Sequence, residues 1–423
     1  MLTPKTIALV KATAPALNQH GEALTRHFYR RMFKHNPEVA PFFNPAHQTA
    51  GTQQKALAGA ICAYAANIDN LEVLGGAVEL IAQKHASLQI KPEHYPIVGE
   101  NLLASIREVL GEGATEEIIS AWAEAYQFLA DILIGREAQI YHEHRSAPNG
   151  WEGFKAFFVT RKEQESETIT SFYLETVDGS AVPDFKPGQY ITVRVPGPCG
   201  HPTMRNYSLS DKPGQSWLRI SVKREPGDAG KPEGFVSNFL HQQLRVGDQL
   251  EVAPPCGEFC LDLTERHERP LVLLSAGVGI TPVLSMLLSA LEAFPQRQIV
   301  FLHGCLNSRF HAFKRRLDAL ERQHPNLTVR YRYDHPTEMD LLRMAGTNVS
   351  EGQIDAALIE SLVPERDADY YFCGPKPFMI NIYHQLLAWG IPAAQTHFEF
   401  FGPRQELDRP GQEREKLAAE CPV

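Results

Sequence analysis

The stretch EVLGGAVELIAQKHASL (residues 72–88) decides how the N-terminal third of the chain reads. Leu74, Val78, Ile81, His85 and Leu88 step by four, three, four and three, so they share one face of a helix. An imidazole therefore sits in an apolar row. It is either a core histidine bonded to a backbone carbonyl or a ligand held in a pocket.

Similar rows lie outward from this one. Ile119, Trp122, Tyr126, Leu129 and Leu133 form a stripe whose next position in register is Glu137, followed by Ile140 and Tyr141. A carboxylate there must be paired or reach solvent, because a stranded charge in an apolar interior is costly. Gln53 shares a row with Leu57, Ile61, Tyr64 and Ile68, and Tyr29 and Phe33 lie one turn apart. One polar group on each of several inward faces points to a pocket between helices rather than a seamless core.

Thr3-Pro4 reads as a helix cap followed by proline in the first turn. Helical periods cover roughly 4–12, 17–34, 52–68, 72–88, 95–110 and 115–142, broken at Asn36-Pro37, Asn44-Pro45, Lys91-Pro92 and Gly111-Glu112-Gly113. After the linker-like segment 146–150 the period becomes two. Ile191, Val193 and Val195 oppose Thr192 and Arg194, and Leu218, Ile220 and Val222 alternate likewise. From residue 270 apolar runs at 271–275, 298–303 and 368–373 alternate with helical segments such as 283–291, as in a parallel α/β domain. The expected fold class is multidomain: an all-α domain (1–147), an antiparallel β-barrel (151–264), a parallel α/β domain (269–403) and a mobile, charged tail (404–423). The segment 334–352 reads as loop.

With 423 residues the chain is long for one domain. Apolar residues at 43% and charged residues at 22% exclude a mostly disordered chain. No uninterrupted apolar run approaches the roughly 18 residues needed to cross a bilayer, and the N-terminus does not read as a signal peptide. A net charge of -9 argues against nucleic acid or an anionic membrane as a partner. Seven scattered cysteines suit a reducing, cytoplasmic setting. Cys256 and Cys260, without a second pair nearby, do not read as a metal site.

Tyr29, Phe43, Gln53, His85 and Tyr95, with KHASLQIKPEHYPIVG (84–99) and REAQIY (136–141), resemble the globin domain of bacterial flavohaemoglobins. The resemblance implies haem b, one per chain, with His85 as the iron ligand through a neutral imidazole nitrogen. Its other ring nitrogen would join a network with Tyr95 and Glu137, which strengthens it as a donor. Tyr29 and Gln53 would meet bound oxygen from the opposite face. Phe43 would pack on the haem plane, Leu57 would line the pocket, and Lys84 would lie near a propionate and the flavin. The remaining histidines before 150 (His20, His27, His35, His47, His94, His142 and His144) read as surface residues.

Farther on, Pro187-Gly188-Gln189-Tyr190, Arg205-Asn206-Tyr207-Ser208 and Gly234-Phe235-Val236-Ser237 occur in the order of the ferredoxin-NADP reductase superfamily. An arginine fork suits a pyrophosphate, an aromatic hydroxyl can cover and bond a flat ring, and helix-start N–H groups suit phosphate. The resemblance implies one FAD, with Arg205 at the pyrophosphate, Tyr207 and Ser208 at the isoalloxazine, and Tyr190 and Asn206 as further contacts. The run Ser208 belongs to reads as the start of a strand. Gly277-Val278-Gly279-Ile280-Thr281-Pro282 follows a buried strand and opens a helix, a nucleotide turn for NAD(P)H. Cys373-Gly374-Pro375 resembles the nicotinamide-side motif, although Cys373 reads equally as a buried structural thiol. Phe400-Phe401-Gly402-Pro403 resembles the closing segment against the flavin.

The implied function is nitric oxide dioxygenase: haem joins nitric oxide to dioxygen, and NAD(P)H restores the iron through FAD. An oxygen carrier or sensor, or an NAD(P)H-dependent haem or peroxide reductase, are the rivals. The small molecules nitric oxide, dioxygen and NAD(P)H are the expected partners of a monomer.

Overall fold

The computed structural model describes residues 2–44, 48, 51–197, 200–227, 232–264 and 269–402. The tail expected over 404–423 lies outside the described residues.

The first layer is helical. Helix α1 (Pro4–His35) is capped by the Thr3 side chain accepting from the Thr6 N–H. It runs unbroken through residues 13–16, where the sequence suggested two helices. Pro15 removes one backbone hydrogen bond, a cost of about 3 kcal/mol in an isolated helix. Packing against several other helices offsets it. Helices α2 (Thr52–Ala66), α3 (Gly75–Ser87), α4 (His94–Leu110) and α5 (Glu116–Ser146) follow. Among the described residues α5 alone is long and apolar enough to cross a membrane by length and composition, and it packs against α1, α3 and α4.

Next come β1 (Lys155–Gln164), β2 (Ile169–Thr176), β3 (Tyr190–Pro196), β4 (Pro202–Ser208), β5 (Leu218–Lys223) and β6 (Gln249–Val252), with helix α6 (Phe235–Gln242) between the last two. The antiparallel order is β4-β3-β6-β1-β2-β5, and a bridge from Leu209 to Ile220 brings the two edges together. The core of this barrel is Phe157, Phe172, Leu174, Ile191, Val193, Leu218, Ile220 and Val252. Thr192, which the alternation put outside, is fully buried because its hydroxyl donates to Asn206 Oδ1 at 2.8 Å. Residues 205–208 end a strand rather than begin one.

The last layer is a parallel sheet of β7 (Leu271–Ala276), β8 (Ile299–Cys305), β9 (Leu327–Tyr333), β10 (Val349–Glu351), β11 (Asp369–Cys373) and β12 (Thr396–Glu399). Its order is β10-β9-β8-β7-β11-β12. Helices α7 (Ile280–Ala293), α8 (Lys314–Gln323), α9 (Glu338–Met344), α10 (Ala356–Leu362) and α11 (Lys376–Ala388) connect the strands. Leu271 to Leu274 are wholly buried, as a strand covered on both faces requires. The chain reverses direction across the sheet at β7, so the C-terminal ends of β7 and β11 form the crevice where such sheets bind ligands. The segment 334–352 is not loop. A capping box joining Thr337 and Asp340 starts α9, and β10 pairs with β9.

Candidate active site

His85 lies near the end of α3. That end closes with the Ile90 N–H donating to the His85 carbonyl and the Gln89 N–H to the Ala86 carbonyl, both at 3.0 Å. Such a closure needs a left-handed residue, here Gln89 at φ 61. Helix α5 brings Glu137, only 2% exposed, to His85, with Oε1 2.8 Å from Nδ1. Tyr95 of α4 donates its hydroxyl to the same oxygen at 2.5 Å and lies 3.1 Å from Nδ1. The carboxylate oxygen facing Nδ1 is an acceptor, so the neutral imidazole carries its proton on Nδ1 and its lone pair on Nε2. The His85 side chain remains 34% exposed within a helical domain. An oriented Nε2 lone pair, backed by a buried carboxylate, is the donor a haem iron requires.

A second wall holds Tyr29, Phe33 and Phe43, with ring centroids 5.2 to 5.9 Å apart. Leu57 packs beside them. Burial pushes the Tyr29 phenol well above its ordinary range, and a hydrogen bond with the Gln53 side chain opposes part of that rise. Tyr29 is therefore a persistent O–H donor. Gln53 Oε1 accepts from Gln48 Nε2 at 2.9 Å. His85 stands on a different apolar cluster from Tyr29, with Tyr126 and Leu129 touching both.

Tyr190 and Cys256 of the barrel join the cluster of Tyr95, Leu133 and Tyr141, so helices and barrel share one core. Lys84 Nζ stands 5.7 Å over the Tyr190 ring. The Tyr190 hydroxyl is sealed from water and closes no hydrogen bond among the described residues, although the Ser87 hydroxyl is close enough to ease its burial. One oxygen of Glu399, on the last strand, is likewise sealed and unpartnered; burial raises the acid's pKa and the Lys84 charge lowers it. Orphaned polar atoms at this seam fit a polar aromatic ring laid between them.

Arg205 is partly withdrawn from water, and burial pulls its pKa down. Its donors go to neutral acceptors: the Met204 carbonyl at 2.6 Å, Thr203 Oγ1 at 3.4 Å and Asn44 Oδ1 at 2.9 Å. Among the described residues it meets no carboxylate, and such a half-desolvated guanidinium fits an anionic guest such as a pyrophosphate. Burial raises the Tyr207 phenol, and Arg205 opposes the rise. Tyr190 pairs with Ser208 in the β3–β4 ladder. At the start of α6 the Ser237 hydroxyl donates to the Gly234 carbonyl and accepts from the Glu225 N–H, which tightens the turn; Val236 is buried and Phe235 exposed.

The two motifs of the parallel sheet interlock. A Cβ on Gly279 would lie 2.1 Å from the Cys373 carbonyl oxygen, and one on Gly374 would lie 2.6 Å from the Phe378 ring. Gly277 turns at φ 55. Ile280, Thr281 and Pro282 are buried, so the turn before them offers its backbone rather than these side chains. Cys373 is a fully buried thiol whose pKa burial drives well up, and what it presents to Gly279 is its carbonyl. Phe400 packs on the sheet side, Phe401 is exposed, and Gly402 follows; Pro403 lies outside the described residues.

Three histidines expected at the surface are half-buried. His94 Nδ1 accepts from the Lys91 N–H, His27 meets Ser105 and Glu108, and His144 faces Cys256 Sγ at 3.8 Å. His144 left no signal because it is covered by the barrel, not by its own helix bundle. His47 lies outside the described residues. The sequence also gave no notice of Glu399; its place before Phe400-Phe401-Gly402 was the available clue.

The chain matches the Globin family over residues 26–133, an oxidoreductase FAD-binding domain over 156–260 and an oxidoreductase NAD-binding domain over 273–385. It is 49% identical over 407 residues to a flavohemoprotein of Halalkalibacterium halodurans, covering 96% of this chain and 98% of that protein. It is 50% identical over 416 residues to one of Rhodopirellula baltica, covering 96% and 99%. A crystal structure of flavohemoglobin from Malassezia yamatoensis with bound FAD and heme superposes with a TM-score of 0.81 at 26% identity, over 95% of this chain and 100% of that one. The FAD/NAD-binding domain of nitric oxide dioxygenase from Vibrio cholerae superposes with a TM-score of 0.52 at 35% identity, over 59% and 99%.

Proposed function

The chain belongs to the flavohemoprotein family, an oxidoreductase with haem, FAD and NAD as cofactors, and we propose that it is a nitric oxide dioxygenase. The net reaction joins nitric oxide, dioxygen and one electron into nitrate. When bound, FAD would link the two-electron chemistry of NAD(P)H to the one-electron oxygen chemistry of haem.

The observation that carries the reading is the contact of Glu137 with His85 Nδ1 in a chain that also carries a reductase. His85 would hold the haem iron through Nε2. Glu137 and Tyr95 hold the Nδ1 proton, fix the ring and enrich the donor, which favours oxygen activation over storage. Tyr29, kept protonated by burial, donates a hydrogen bond on the ligand side with Gln53 beside it. Phe43 and Leu57 keep water out and suit two small apolar gases. Lys84, Tyr190, Tyr207, Ser208 and Glu399 would frame the flavin ring, and Arg205 would hold the pyrophosphate with Asn206 and the turn 234–237 beside it. The turn 277–279 and Gly374-Pro375 would receive the nicotinamide nucleotide. Both sites come from one chain, and the working unit in this reading is a monomer.

The test is nitric oxide consumption by the purified holoprotein with NAD(P)H and dioxygen. Consumption far above uncatalysed autoxidation, lost in His85→Ala together with the Soret band, is the expected result. Consumption no faster than autoxidation would leave a haem or peroxide reductase in its place.

A further inference from the structure

We propose that Gln83, Ser87 and Gln89 are positioning residues that seat the His85 helix on the barrel and thereby set the rate of electron passage from flavin to haem. The inference rests on the cofactor placement argued above. The step is the transfer of one electron from reduced flavin to ferric haem, giving ferrous haem.

Each of the three side chains has one arm on the helical domain and one on the barrel. Gln83 Nε2 donates to Glu79 Oε1 at 2.9 Å, and its Oε1 accepts from the Gly257 N–H at 3.1 Å. Glu79 is itself held by Arg136. Ser87 Oγ donates to the Lys84 carbonyl at 2.8 Å and accepts from Asn206 Nδ2 at 3.4 Å. Gln89 Nε2 donates to the Ala86 carbonyl at 2.9 Å, and its Oε1 accepts from the Gly153 N–H at 3.0 Å. Residue 153 precedes β1, Asn206 lies on β4 and residue 257 follows β6. Three attachments on separate parts of the barrel stop sliding and rocking alike, and His85 stands among them.

Two further observations point the same way. Gln89 occupies a left-handed position where glycine is the usual and less strained residue. Its strain is explained by the reach of its amide to residue 153. At Gly257, φ 118, a Cβ would lie 2.9 Å from the Tyr190 ring, so the backbone that receives Gln83 is the same backbone that touches the flavin-side aromatic. All three links are neutral and at least partly buried, hence little screened by salt. The ion pairs of Glu152 with Lys91 and Arg145 rim the same seam.

The variant Gln89→Gly relieves the left-handed strain and removes the link, which separates positioning from stability. Alone and with Gln83→Ala, it is compared with the wild-type holoprotein by amide exchange at residues 153 and 257, by the unfolding midpoint, and by anaerobic stopped-flow recording of flavin and haem bands after mixing with NAD(P)H. Expected are an unchanged or higher midpoint for Gln89→Gly, faster exchange at the glycine whose acceptor is lost, flavin reduction within about twofold of wild type, and haem reduction slower on the order of tenfold. Ser87→Thr, which keeps the hydroxyl, retains the wild-type rate of haem reduction, while Ser87→Ala slows it. Unchanged exchange, haem reduction within twofold of wild type, or equal slowing of both bands overturns the proposal. A wild-type protein whose flavin reduces no haem overturns the underlying cofactor reading instead.

Discussion

Glu137 Oε1 lies 2.8 Å from His85 Nδ1 while Tyr95 donates to the same oxygen at 2.5 Å. The carboxylate reaches the imidazole from a helix 52 residues away in sequence, and it is buried. The arrangement makes the electron density of His85 a property of Glu137.

Glu137→Gln keeps the shape and an acceptor oxygen but removes the charge. The haem should still bind, with the iron–histidine stretching frequency lowered in resonance Raman spectra. Turnover should fall on the order of ten- to a hundredfold, the usual effect of altering a group behind a metal ligand. An unchanged frequency would show that Glu137 does not act on His85.

Tyr29→Phe removes a donor that burial keeps protonated. Oxygen release from the reduced protein should accelerate, on the order of tenfold, for one lost hydrogen bond of about 1.4 kcal/mol. In the wild type the release rate should show no Tyr29 titration as pH passes about 10, the ordinary tyrosine value, because the folded pKa is raised. A titration near that pH would contradict the placement.

Gly279→Ala drives a Cβ to within 2.1 Å of the Cys373 carbonyl. Neither backbone can give way without moving the nucleotide turn. The expected outcome is a kcat/KM for NAD(P)H lower by about tenfold or more, with the haem spectrum intact. A kinetically silent substitution would place the nucleotide elsewhere.

His303 is fully buried and burial pushes its pKa down to about 3; its Nδ1 meets Ser275 at 2.9 Å. His311, 5.2 Å away between ring centroids, is depressed in the same direction by burial, with Lys314 and His303 as further causes. The folded state therefore binds fewer protons than the unfolded chain below about pH 6.5. Stability from this pair is present above that pH and is lost as pH falls toward 3, at about 1.4 kcal/mol per pH unit for each fully neutral histidine. Urea unfolding followed from pH 7 to 4 should show that slope reduced in His303→Gln.

The helical domain was legible because a polar residue in an apolar stripe breaks a period, which exposed His85, Glu137 and Gln53 together. The nucleotide turn was legible because strand, glycines and helix follow one another locally. Contacts across the seam were not. Glu399, His144, Gln83, Ser87 and Gln89 acquire their surroundings from a different domain, and no periodicity in their own segment records that. Helix α9 is a different case: Thr337 followed by Asp340 is a capping signal, but the polar residues around it carry little apolar period. The continuous α1 shows packing overriding the local signal of Pro15.

The most direct test of the central claim follows the oxygen atoms. Holoprotein turning over nitric oxide with NAD(P)H under isotopically labelled dioxygen should form nitrate in which both added oxygens carry the label. Nitrate with one labelled oxygen or none, or NAD(P)H oxidised with no nitrate, would contradict it.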